Sequence, residues 1–284
     1  MPVTYEKLMS LKLDGATFEY SERDSMLYAL SIGMGRDPLN QDELAYVFEK
    51  GGIKTVPTQA CVVARPNLLL DVGLDRTKVL HGEQRLTLHR PLPPSARLVA
   101  SARIAEAYDK GPGKGAIIYV ESVIKEVGKD TPLITLVNTT FARGDGGFGG
   151  PNGAGRTPHE VPSRAADLKG VTETRADQAL LYRLNGDRNP LHADPALAER
   201  AGFKAPILHG LCSYAIACRE VLKHVCKYDH TRIREFGVRF TSPVYPGETI
   251  ETDIWVDGNI VSFRCRVPAR NVTVLNNGRC LLNA

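Results

Sequence analysis

The chain repeats itself. Residues 27–30 read LYAL and residues 181–184 read LYRL, an offset of 154. Residues 36–40 read RDPLN and residues 188–192 read RNPLH, an offset of 152. Pro91 and Pro94 are matched by Pro243 and Pro246, again 152 apart. Echoes at nearly one offset in a chain of 284 residues mark two copies of one unit. The fold therefore has to be one that half of this chain can build twice. The break falls at residues 144–158, GDGGFGGPNGAGRTP, where Gly, Pro and Asn leave little to pack as a helix or strand. The expected organisation is a first domain over 1–145, a linker over 146–165 and a second domain over 166–284.

Each half reads as strands with a few helices. Residues 21–35 open with the helix starters Ser21 and Asp24 and end in glycines, which predicts a short helix. A polar helical piece is expected near 42–50, followed by an apolar run over 55–64. Alternation and a high content of Val, Ile, Thr and Tyr predict strands over 77–90, 98–110, 115–127 and 131–143. In the second half the pattern predicts a polar strand or loop near 171–175 and a short helix over 177–184 with Asp177 as its cap. Asp194-Pro195 opens another helix that stops near Gly202. A long helix is expected over 209–226. Its apolar positions Leu211, Ala215, Cys218, Leu222 and Val225 are spaced 4, 3, 4 and 3, which describes one buried face. Strands follow at 235–240, 249–256, 260–267 and 272–275.

Composition narrows the function classes. Hydrophobic content of 43% and charged content of 24% are ordinary for a globular chain with ample core. The net charge of +4 comes with no basic run interleaved with aromatics, which disfavours nucleic acid. It suits a small polyanion such as a nucleotide or coenzyme A. The first residues lack an apolar core of signal-peptide length, and no run of about 18 apolar residues predicts a membrane span. Cys61, Cys212, Cys218, Cys226, Cys265 and Cys280 form no CxxC pair, so reduced cytosolic thiols are expected and a zinc site is not. Leu282-Asn283-Ala284 is not a peroxisomal Ser-Lys-Leu address, and the expected compartment is the cytoplasm.

The chemistry concentrates at residues 182–192, YRLNGDRNPLH, where Asp187 and His192 stand five positions apart. Pro190 holds its own φ and biases Asn189 away from the α region. The segment reads as a shaped turn that aims a carboxylate and an imidazole at one point. Such a pair can share one water and work as acid and base near neutral pH, with the Asn189 amide orienting that water. A lone Asp or His more commonly caps a turn or sits satisfied in a core. Here the accompanying glycine and proline have no purpose in a simple loop. At the same register the first half has Gly35 in place of Asp187 and Asn40 in place of His192. Neither is a base, so one half kept the reactive pair and the other lost it.

A second constellation is Leu208-His209-Gly210 at the start of the long helix, where a free N–H can stabilise negative charge on a carbonyl oxygen. Gly210 serves equally well there to ease close packing. Lys110, in a glycine-rich turn, reads as a phosphate contact or as a solvated turn lysine. His81-Gly82 and Arg239-Phe240 are weak signals of ligand contact when taken alone. RGDGGFGG, residues 143–150, lacks the Lys-Ser/Thr of a phosphate loop and reads as a linker.

With GDRNPLH followed by PILHGLCSYA, the chain resembles the MaoC-like family of (R)-specific, type 2 enoyl-CoA hydratases. It is most similar to the two-domain form in peroxisomal multifunctional enzymes. VLHGEQ, DKGPGKG, RGDGGFGG, VRFTSPVYPGET and NVTVLNNG resemble family segments in the same order. The resemblance implies an α+β double hot-dog fold, in which two antiparallel sheets each wrap a helix. It implies that Asp187 and His192 form the catalytic pair, that Asn189 assists, and that the Gly210 N–H binds the thioester oxygen. It also implies acyl-CoA contacts from His81, Gly82, Lys110, Phe240, Arg188, Pro190 and Leu191. No metal or separate cofactor is expected, since coenzyme A belongs to the substrate. A homodimer acting in fatty acid metabolism of the β-oxidation type is expected. Asn185 departs from the family, which has a small hydroxyl residue before the motif's glycine. The implied activity is reversible hydration of a trans-2-enoyl-CoA. An acyl-CoA thioesterase on the same fold and a non-catalytic acyl-CoA-binding subunit are the alternatives.

Overall fold

Strand β9 (Ile260–Val267) shows how the sheet forms. Val261, Phe263, Cys265 and Val267 are buried on one side while Arg264 and Arg266 lean towards solvent on the other. That period of two is the signature of a half-covered strand. The computed structural model describes residues 4–70, 72–75 and 78–283, and ten strands join into one sheet among the described residues. The expected strand start at Thr77, and the outermost residues 1–3 and 284 of the terminal readings, lie outside the described residues.

The first half supplies β1 (Lys12–Tyr20), β2 (Val79–Leu88), β3 (Ala96–Asp109), β4 (Ala116–Glu126) and β5 (Ile134–Ala142). The second supplies β6 (Leu168–Glu173), β7 (Ile233–Phe240), β8 (Thr249–Asp257), β9 and β10 (Val272–Leu282). The order across the sheet is β1-β3-β4-β5-β2-β7-β10-β9-β8-β6, antiparallel throughout. Read from each outer edge inwards, the two halves follow the same strand permutation, as the internal repeat requires. The two expected sheets are fused into one. The seam is β2 against β7, from Glu83 opposite Arg239 to Thr87 opposite Glu235.

The double hot-dog arrangement shows most clearly in the second half, where the sheet curls around the helix Gly210–His224. The spacing predicted one buried face. Instead every residue from Leu211 to Cys218 is buried, together with Glu220, Val221 and Leu222, because the sheet covers one side of the helix and first-half segments, including Ser31, Glu43 and Pro57–Gln59, pack on another. In the first half the equivalent run is short: a 3-10 turn, Pro57–Gln59, leads into the helix Ala60–Val63. The helix Glu22–Ser31 starts as predicted, with the Ser21 N–H donating to the Asp24 carboxylate at 2.8 Å. Its counterpart Gln178–Tyr182 begins after Asp177, but Asp177 does not cap it. Arg175 draws that carboxylate away, with Nε and Nη2 at 2.7 and 2.9 Å. The polar helical piece near 42–50 is reduced to Gln41–Leu44, capped by the Asn40 side chain.

Two elements go beyond the sequence reading. The helix Tyr5–Met9 is a single short turn of chain, and β1 carries a register shift between Leu13 and Ala16, at Gly15 with φ +76°. The bulge breaks the alternation by which β1 would be recognised. β10 runs well past the expected residue 275: Asn276 and Asn277 form a bulge against β9 and the strand resumes beyond it.

Between Ala142 and Leu168 there is no helix or strand, yet the glycine-rich stretch is packed. The buried Asp109 carboxylate accepts the N–H groups of Gly111, Gly147 and Gly149 at 2.8, 2.7 and 2.9 Å. Phe148 is buried against the first-half sheet. A Cβ at Gly146 would lie 1.9 Å from the Gly111 carbonyl oxygen, so only glycine permits this approach. All six cysteines are free and buried. Among the described residues no helix is long and apolar enough to cross a membrane.

Candidate active site

The motif turn is built by its own backbone chemistry. The helix Gln178–Tyr182 tightens into a 3-10 turn, Arg183–Asn185, which ends at Gly186 with φ +101°. No atom lies within 4 Å of where a Cβ would stand at Gly186, so the left-handed conformation, not space, calls for glycine. A second 3-10 turn, Pro190–His192, starts with proline at its first position and Asn189 as its cap. The Asn189 side-chain oxygen accepts the Leu191 N–H at 3.0 Å. That bond anchors the side-chain oxygen in the turn, and the amide NH2 can donate to a water. The Asn189 N–H in turn donates to Asp187 Oδ1 at 3.3 Å.

His192 is 9% exposed, and its Nδ1 lies 2.8 Å from the Ile207 carbonyl oxygen. A carbonyl only accepts, so Nδ1 carries the proton and the Nε2 lone pair is left free. Burial, reinforced by the Arg65 charge, holds the pKa of His192 below the usual histidine value. The imidazole is thus a neutral base near pH 7.

Two further residues complete the arrangement. The buried His209 donates from Nε2 to the Asp187 backbone carbonyl at 3.0 Å, and its ring stacks on His192 with centroids 3.7 Å apart. One imidazole therefore touches both members of the motif pair. Burial, then the neighbouring His192, pushes the His209 pKa down to about 4. Arg65 arrives from the first half, with Nη1 3.1 Å from Asp187 Oδ2. Burial would raise the Asp187 pKa, but Arg65, His209 and the Asn189 N–H outweigh it and keep the carboxyl below its usual value.

Gly210 is the first residue of the central helix, where an N–H has no acceptor within the helix. A Cβ there would meet the Phe240 ring at 3.1 and 3.2 Å. The Phe240 ring packs in turn on His81, with centroids 4.7 Å apart. His81, Phe240 and Gly210 are thus one contiguous layer. At Gly82 a Cβ would lie 3.3 Å from the Thr139 carbonyl, which keeps β2 close to β5. The Lys110 ammonium stands 5.0 Å over the Phe141 ring, and Phe141 pairs with Leu80 beside His81. Arg188 and Pro190 are exposed on the turn, with Leu191 half-buried behind them.

Asn185 has its own use. Its Nδ2 donates to Ser31 Oγ and to the Tyr182 carbonyl, both at 2.9 Å, tying the motif turn to the first-half helix. The degenerate echo is structural throughout. The Gly35 N–H donates to Glu43 Oε2 at 2.9 Å, and Asn40 caps the next helix. Glu43, 2% exposed, also receives Arg219 Nη2 at 2.6 Å and the Tyr228 hydroxyl at 3.1 Å. Sequence reasoning missed Arg65 and gave His209 no role of its own. His209 was within reach, being adjacent to Gly210. Nothing in the string around Arg65 marks it.

A sheet-wrapped helix with a carboxylate and a neutral imidazole near its first N–H groups defines a double hot-dog protein equipped for acid–base chemistry. Comparison with known proteins agrees with this class. A model described as MaoC like domain matches residues 155–277, and one described as MFE-2 hydratase 2 N-terminal domain matches residues 18–144. "Enoyl-CoA hydratase 2, peroxisomal" of Arabidopsis thaliana is 38% identical over 287 residues, covering 94% of this chain and 92% of that one. "Probable enoyl-CoA hydratase 2" of Dictyostelium discoideum is 35% identical, covering 99% and 97%. A crystal structure of a MaoC-like dehydratase from Phytophthora capsici superposes with a TM-score of 0.86 at 29% identity, covering 99% and 98%. The chain belongs to the MaoC-like family, in its two-domain hydratase 2 form.

Proposed function

We propose that the protein catalyses the reversible hydration of a trans-2-enoyl-CoA to a (3R)-3-hydroxyacyl-CoA. The observation that carries this reading is the His192 imidazole, whose Nδ1–H is fixed on the Ile207 carbonyl so that Nε2 faces the reaction as a base. Asp187, held ionised on the same turn, shares the water with it. His192 takes one proton from the water, the oxygen forms its bond to C3, and the pair returns a proton to C2. Charge that builds on the thioester oxygen as C2 takes on enolate character is met by the Gly210 N–H, a contact of the kind that is worth about 3 kcal/mol when well aimed. The Asn189 NH2 orients the water. His81, Gly82, Lys110, Arg188, Pro190, Leu191 and Phe240 hold the coenzyme A ester. The first half, without a reactive pair of its own, accepts the acyl chain.

This chemistry needs no metal or redox group, and coenzyme A enters as part of the substrate. The same proposal takes 1–145 and 166–284 as the two hot-dog units joined by 146–165, and a homodimer in the cytoplasm as the working form. Names of several relatives say peroxisomal, so imaging of the tagged full chain decides the compartment, and sedimentation decides the oligomer. The activity is tested by following crotonyl-CoA hydration through loss of the enone absorbance, with chiral analysis of the product. Asp187→Asn and His192→Ala are each expected to lower turnover by about 100-fold or more. Wild-type rates in both would overturn the assignment, and thiol release without hydration would replace it with a thioesterase.

A further inference from the structure

Both oxygens of the Asp187 carboxylate are held, and by different halves of the chain. Oδ1 accepts the Asn189 N–H of its own turn at 3.3 Å. Oδ2 meets Arg65 Nη1 at 3.1 Å. Arg65 lies just past the helix Ala60–Val63, which is the short first-half counterpart of the central helix. Its side chain is 43% exposed and that of Asp187 19% exposed, so the pair sits at the rim of the site, with the acid on the inner side.

A carboxylate on a turn can rotate about its Cβ–Cγ bond, and one backbone N–H at 3.3 Å fixes that rotation weakly. A guanidinium on the second oxygen sets the plane and supplies a charge-assisted contact. We infer that Arg65 is a positioning residue for hydration: it aims the Asp187 carboxylate, so that the half without a reactive pair still takes part in the chemistry. The inference rests on the hydratase reading given above.

The electrostatic surroundings agree with this role. The groups facing Asp187 are Arg65, His209 and His192, and among them Arg65 is the largest influence holding the carboxyl ionised. Arg65 faces His81, His192 and His209, and its charge disfavours protonation of each. One cation therefore favours the working protonation state of both partners, carboxylate for Asp187 and neutral imidazole for His192. Removing it allows both to take up a proton at higher pH.

The test measures kcat, KM and the pH dependence of kcat/KM for crotonyl-CoA in Arg65→Ala and Arg65→Lys, with a thermal melt of each. Arg65→Ala is expected to lower kcat on the order of 10-fold, as a misaimed carboxylate should, with KM little changed. Its acid limb should move to higher pH. Arg65→Lys retains the charge and should return the limb to its wild-type position, while recovering kcat only in part because an ammonium does not set the carboxylate plane. A fall in kcat/KM caused by KM alone would make Arg65 a substrate contact and overturn the inference. So would an Arg65→Ala enzyme with unchanged kcat and acid limb. Asp187→Asn is run alongside. If it keeps full activity, the hydratase reading itself fails. If it is inactive while Arg65→Ala matches wild type, only the role of Arg65 fails.

Discussion

His209 makes the fold sensitive to mild acid, and the size of the effect can be worked out. The residue is 1% exposed, donates from Nε2 to the Asp187 carbonyl and lies flat on His192. Its pKa is pushed down to about 4 by burial and then by its neighbour, against 6.5 for an ordinary histidine. A depressed histidine pKa means that the unfolded chain binds the proton more readily. The stability that His209 contributes is therefore complete above pH 6.5 and is lost as the pH falls from 6.5 towards 4. Between pH 7 and pH 5 the loss comes to about 2 kcal/mol. The perturbation is His209→Gln, whose side-chain NH2 can still reach the Asp187 carbonyl but does not titrate. Urea unfolding at pH 7 and pH 5 gives the change in stability for each protein. His81, His159, His192 and His230 are depressed as well and share the window, so the quantity of interest is the difference between the two changes. The wild type should lose about 2 kcal/mol more than the variant over this interval. Equal losses would show that His209 takes up its proton as easily when folded as when unfolded, and would refute a buried neutral imidazole at this position.

Three further outcomes are expected. The acid limb of kcat/KM should lie below pH 6.5, because His192 acts when neutral and its pKa is depressed by burial; a limb at or above 6.5 would contradict the assignment. Gly210→Ala places a Cβ 3.1 Å from the Phe240 ring and should lower kcat by up to about 100-fold as the ring and the N–H shift, whereas an unchanged kcat would show that the Phe240 contact does not hold that N–H in place. Asn185→Ala deletes the hydrogen bonds to Ser31 Oγ and the Tyr182 carbonyl and should destabilise the protein by about 1–2 kcal/mol, read as a lower melting temperature; an unaltered melt would mean the bonds contribute nothing net.

Much of this molecule is legible in its sequence because the signals are local. The glycine and proline of the motif turn announce their backbone conformations, and Gly186 and Pro190 adopt them. Alternation reveals β9 end to end, since every second residue is buried. Local signals fail where the local pattern is interrupted or the partner is distant. The bulges in β1 and β10 interrupt alternation, and one strand is lost and the other cut short. Asp177 has the chemistry of a cap but is taken by Arg175 two residues earlier. The glycines of 144–150 look like slack, but the Asp109 carboxylate, brought in by β3, fixes the N–H groups of Gly147 and Gly149, and the Gly111 carbonyl leaves no room for a Cβ at Gly146. Arg65 is the plainest case. It meets Asp187 only because the two halves fold against each other, and no periodicity or spacing carries that information.

The seam between β2 and β7 bears on that meeting. If the two units were separate chains, Arg65 and Asp187 would come together only as often as the chains associated, and dilution would part them. Within one polypeptide the partner's concentration is fixed by the connecting segment and does not fall when the protein is diluted. The site keeps its second-half acid and its first-half cation at any concentration. Duplication within a single chain thus lets one half give up its own reactive pair without becoming dispensable.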